Sequence, residues 1–218
     1  LAEQLAACGQ IKEAETAARM ALRLDPHHLG AATTLANLLL NRGDLDEARS
    51  LLEGLERAGI APPHVVMALG AIACKQARLE EARVRLETVV AADPKAIMAL
   101  LYLARTLDRL GDATAAHRQL ERAAAVAPAL AEPRERLEAH RLRTQAEKLF
   151  HDGHAEDSLP AFVKALQLDS EDPITHNDIG VVLTAMGKFD AAARSFQRAL
   201  LLAPGMTETI DNLRALKS

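Results

Sequence analysis

Aromatic residues are nearly missing from these 218 residues: there is no tryptophan, one tyrosine and four phenylalanines. That scarcity argues against β-sheet, whose strands are enriched in aromatic and β-branched side chains. Cysteine is scarce as well. Cys8 and Cys74 stand far apart, so the chain has neither a disulfide framework nor a paired-thiolate metal motif. No apolar run approaches the roughly 20 residues that span a bilayer. Positive charge is not in excess either. The formal net charge is −4, without the whole-chain basic field that attracts nucleic acid. There is no phosphate-cradling glycine loop, no HExxH and no patterned nucleophile. The eight histidines include His27-His28 and His151/His154 in turn-like stretches with no further ligands at metal spacing. The expectation is a chain that is not an enzyme and carries no cofactor or metal.

What the chain has is alanine and leucine at a fixed period. Ala14, Ala48, Ala82 and Ala116 are 34 residues apart, Gly153 and Gly187 one such step apart, and Pro94 and Pro128 another. A recurring 34-residue unit is the mark of a helix–turn–helix array. Within each unit the apolar residues recur at helical spacing, as in Leu45, Ala48, Leu51, Leu52 and Leu55. Glycine or Asp-Pro then closes a helix, because proline cannot continue one. Ala77 stands where other units have the turn glycine, so that turn either avoids positive φ or carries a small cost.

The period breaks once. Gly111 to Gly153 is 42 residues, an excess of eight that falls in the charged stretch Glu132 to His140. Glu, Arg, Leu and Ala are strong helix formers, which predicts one long helix from about Pro133 to Phe150 rather than a flexible hinge. Pro160 implies that the next helix either starts late, capped by Ser158, or is kinked. Beyond Pro204, Ile210, Leu213 and Leu216 alternate with Glu208, Asp211, Arg214 and Lys217, as a solenoid's terminal cap requires.

Ile179-Gly180, Gly187, Ala192, Phe196, Ala199 and Pro204 together resemble the tetratricopeptide repeat, apart from Ile for Leu. Leu69-Gly70, Ala82, Leu86, Val89 and Pro94 repeat the pattern, as do Leu103-Ala104, Gly111, Ala116, Leu120, Ala123 and Pro128. The large aromatic slots of the first helices are filled instead by Ala32, Val66, Leu100, Leu142 and His176. The resemblance, of bacterial type, covers nearly the whole chain in about six repeats. These lie near 1–28 (truncated), 29–62, 63–96, 97–130, 131–172 with an extended first helix, and 173–206, closed by a cap at 207–218. It implies an all-α, right-handed α-solenoid of antiparallel helix pairs whose first helices line a concave groove.

It also implies a scaffold that binds a peptide or helix of a partner protein. Positions just off the packing stripe would face the groove: Asn37, Met67, Lys75, Met98, Leu101, Tyr102, Arg105, Arg109 and Arg143. Methionine, leucine and tyrosine there give an adaptable apolar strip and the cations a positive edge, suited to a partner with acidic and apolar residues. Self-association is a further use of such a surface, and a cytoplasmic or periplasmic location is expected. The set of Lys, Asn and Arg with which some members grip a terminal carboxylate is not matched. Asn37 and Arg105 are separated by Met67, Ala68 and Ala71, which cannot donate. A different class remains open: the recognition arm of a larger enzyme, such as a glycosyltransferase or methyltransferase, with its catalytic domain outside this chain.

Overall fold

A computed structural model describes residues 1–216, which form thirteen α-helices and no strand. In chain order these are α1 (Ala2–Ala7), α2 (Ile11–Leu24), α3 (Leu29–Arg42), α4 (Leu45–Arg57), α5 (Pro63–Lys75), α6 (Leu79–Ala92) and α7 (Ile97–Arg109). They continue as α8 (Ala113–Val126), α9 (Ala131–His151), α10 (Ala155–Leu168), α11 (Pro173–Ala185), α12 (Phe189–Leu202) and α13 (Thr207–Ala215). Consecutive helices pack together along the whole chain, which makes an all-α solenoid. Among the described residues, no helix is long and apolar enough to cross a membrane.

The small residue of each second helix sets how closely the pairs approach. Ala14, Ala48, Ala82, Ala116 and Ala192 are all 0% exposed, and so is Ser158. Ser158 is therefore this slot's occupant in α10, and the expectation that it caps a late-starting helix is wrong. The helix already begins at Ala155 and runs through Pro160, while the Ser158 hydroxyl donates to the Ala155 carbonyl at 2.8 Å. Opposite the slot, the first helix needs glycine where a large side chain lies against its backbone. A Cβ on Gly180 would sit 2.4 Å from the Phe196 ring. Ala77 keeps the positive φ of its glycine counterparts, at 61°, so of the two expectations for that turn the strained one holds.

Helix α9 is 21 residues long against 13 in α11, with buried Pro133 in its first turn, where no intrahelical N–H bond is lost. Thr209, not Ile210, is the fully buried residue of α13. Its hydroxyl donates to Asn177 Oδ1 at 2.9 Å, and Asn212 shares that acceptor at 3.3 Å. Leu213 and Leu216 pack on the neighbouring apolar cluster; Lys217, expected to face outward, lies outside the described residues.

The apolar interior is not one strip. One cluster runs from Ala18 to Ile72 and adjoins a second, from Ala73 to Ala123, along α5. A third, built on Ala146, Phe162, Val182 and Phe196, is separate. Between the second and third lies a layer of buried charge. The chain also curls onto itself, since the turn after α12 touches the turn between α5 and α6. A Cβ on Gly205 would meet that of Ala77 at 2.3 Å.

Candidate functional site

The residues expected along the groove divide into two sets. Asn37 on α3 is exposed, Met98 at the start of α7 is 40% exposed, and Met67 and Tyr102 are half-buried against the second apolar cluster. Lys75, in the last turn of α5, forms no ion pair among the described residues. Beside it the Arg109 guanidinium donates to the carbonyl of Cys74. These six lie on α3, α5 and α7.

Leu101, Arg105 and Arg143 are placed otherwise. Leu101 is 2% exposed and belongs to the core, because α7 is buried on several sides: Ala99, Leu100, Leu103, Ala104 and Leu107 are buried with it. Arg143, only 4% exposed, contributes nothing to an open positive edge. It lies 2.7 Å from Asp108, 2.6 Å from Glu147 and 3.7 Å from Asp172. Arg105 meets Asp169 at 3.1 Å, across from α7 to the turn between α10 and α11. The acidic groups once expected on a partner are thus supplied by the chain itself, to Arg105 by Asp169 and to Arg143 by Asp108, Glu147 and Asp172.

Around these pairs the layer of charge is continuous. The His140 ring lies 3.2 Å from the second oxygen of Asp108. Asp172 caps α11 through the backbone of Ile174 and Thr175 and takes the Thr175 hydroxyl at 2.5 Å. Burial works against ionised Asp172, but Arg143, the Thr175 hydroxyl and Arg105 outweigh it and hold its pKa below the usual carboxylate value. Asp178 goes the other way. Burial, with Glu147 and Asp172 adding repulsion that Arg143 does not offset, pushes it up to about 8. Its Oδ2 has no hydrogen-bond partner among the described residues. Sequence reading missed Asp108, Asp169 and Asp172. The one signal for them is the acidic run Asp169-Ser170-Glu171-Asp172 before Pro173.

Nothing in this arrangement presents a nucleophile beside a base, and among the described residues no group of three His, Cys, Asp or Glu could hold a metal ion. Of the nine expected residues, Asn37 and Met98 are the exposed ones.

Three family models match the chain, each described as the tetratricopeptide repeat, over residues 5–72, 97–122 and 175–205, together more than half of it. No curated protein sequence matches. Among solved structures, a tetratricopeptide repeat protein from Parabacteroides merdae is similar with a TM-score of 0.66 at 14% identity, over 100% of this chain and 96% of that one. A chain of the APC/C hetero-tetramer Cut9–Hcn1 is similar at a TM-score of 0.59 and 16% identity, over 98% of this chain. The human IFIT1 dimer with m7Gppp-AAAA is similar at 0.51 and 17%, over 99% of this chain and 62% of that one. This chain spans only 41% of the Cut9–Hcn1 chain. At these identities the likeness is one of fold.

Proposed function

The chain belongs to the tetratricopeptide repeat family, and on that premise we propose that it is a non-catalytic interaction scaffold that holds a peptide or helix of a partner protein along α3, α5 and α7. The observation that carries this reading is the split among the groove residues. Arg105 and Arg143 are already answered inside the chain, whereas Lys75 is not and Met98 stands 40% exposed. Met67, Met98 and Tyr102 would receive apolar side chains of the partner, since methionine adapts its shape to irregular surfaces. Lys75 and Arg109 would meet its carboxylates, and Asn37 would bond its backbone. Leu101, Arg105 and Arg143 act behind this surface.

The test is affinity capture with the purified chain, followed by titration of the captured partner against Lys75→Glu combined with Met98→Asp. Both positions are at least partly exposed, so helical circular dichroism should stay unchanged while affinity falls about a hundredfold, as for the loss of one or two interface hot spots. Unchanged affinity would place the partner on another face. Recovery of the chain alone, as a defined dimer, would make self-association the use of this surface.

A further inference from the structure

We propose that the groove between α6 and α8 docks one helix of a partner protein, apolar on its buried face and carrying a carboxylate at one end. An opening of about 600 Å³ lies between these two helices, floored by Val90 of α6 and by Leu103 and Leu107 of α7. At 3.6 residues per turn these leucines stand on the face of α7 opposite Met98, Tyr102 and Arg109. The groove is therefore separate from the surface along α3, α5 and α7, and does not depend on it.

The chain itself shows what fills this place elsewhere. One unit earlier, α4 and α6 are joined across the same gap by Glu56 with Arg85 at 2.8 Å, while Arg49 lies 3.9 Å from Glu81. One 34-residue step on, Glu56, Arg85 and Glu81 become Val90, Gln119 and Ala115, and all three line the opening. Arg83, the counterpart of Arg49, finds no acid across on α8 and turns back to Glu80 at 2.7 Å and Glu87 at 3.5 Å on its own helix. Among the described residues no ion pair joins α6 to α8. Where two long side chains met across the gap, two shorter ones now line it.

The rim sets the partner's charge. Glu80 and Glu87 already share Arg83, and the Asp112 carboxylate accepts from the Ala115 amide at 2.8 Å, at the positive end of α8. Arg122, at the other end of the wall, forms no ion pair among the described residues, and its guanidinium donates to neutral Gln119 at 2.7 Å. A carboxylate of the partner answers it. From Asp112 to Arg122 the α8 wall is about 15 Å long, nearly three turns, which an i, i+4, i+7 apolar stripe spans. The same face of α8 then ends in exposed Val126. A helix suits the place because it satisfies its own backbone, whereas an extended segment would lay unpaired N–H and C=O groups on an apolar floor.

The test is a phage-displayed library of helix-forming peptides of about four turns, panned on the whole chain and counter-selected on Val90→Glu with Gln119→Arg. That double substitution rebuilds the Glu56–Arg85 pair one unit on, so the variant should melt no lower than the native chain. Native-chain binders should carry leucine-sized residues at i, i+4 and i+7 with Asp or Glu near one end, and the double variant should weaken them about tenfold or more. Arg122→Glu should weaken them too, and Lys75→Glu with Met98→Asp should leave them unchanged. Absence of any peptide that the double variant weakens would overturn the proposal. So would peptides lost with Lys75→Glu and Met98→Asp, which belong to the other surface. Lys or Arg in place of the acid would overturn the partner's charge. A native chain that sediments as a dimer, with the double variant a monomer, would overturn the foreign partner in favour of a second copy.

Discussion

The first eight helices and the last five handle charge in opposite ways. In the first part most ion pairs between helices join second helices and staple neighbouring units, as Arg19 does with Glu47 at 2.5 Å and Arg85 with Glu56 at 2.8 Å. The interior there is apolar without a break from Ala18 to Ala123. At the start of the second part the pairs go inside, between α7, α9 and α11, where an apolar strip would otherwise continue. Exposed pairs add little to stability, whereas buried ones must be complete to be tolerated at all. What the buried layer provides is a fixed register: Arg143 and Arg105 each fit only where their carboxylates are.

The contrast is tested most severely at Arg143. Arg143→Met should leave Glu147 without its cation, and Asp108 and Asp172 with only His140 and Arg105 respectively, and destabilise the chain by about 3–5 kcal/mol. Hydrogen exchange should place the loss in α9 to α11 and spare α2 to α4; a uniform loss would mean the two parts do not differ. Next is acidity. Asp178 has a folded pKa of about 8, above its ordinary 3.8, so the folded state holds a proton the unfolded state has lost. Stability of the second part should therefore fall as pH rises from about 4 to about 8, and Asp178→Asn should flatten that slope. Asp172, with its pKa depressed, contributes in the opposite sense: its stabilisation is present above its ordinary value and is lost on acidification below it. Gly180→Ala comes third. The new methyl would press on the Phe196 ring, and a loss of about 1–3 kcal/mol in denaturant titration is expected. The smallest effect belongs to the first part: Arg19→Ala should change stability by at most about 1 kcal/mol, fading with added salt.

The packing was legible in sequence wherever it obeyed the period. Ala192, Phe196 and Gly180 could be placed because each has counterparts a fixed step away, and small or apolar residues there have one use. Ser158 was misread although it stands one 34-residue step before Ala192, because serine is a common helix cap and Pro160, two residues on, suggested a late helix start. Exposure along the first helices was half legible. Asn37, Met67 and Met98 follow from helix faces, but Leu101 does not, since a first helix inside a solenoid is covered by its partner and by both neighbouring units. The buried arginines were illegible for another reason. Arg105 and Asp169 are 64 residues apart, and nothing local in either segment points to the other.

The touch between Gly205 and Ala77 changes what kind of mechanical object this is. An open array of repeats is a set of springs in series, so a pull on its ends stretches every unit and compliance grows with length. A contact between the third unit and the turn after the sixth short-circuits that series. Tension entering at either end can pass across the bridge, and the units inside the loop stay slack until the bridge parts. Extension by force should then show one stiff regime, a single rupture, and a softer regime after it.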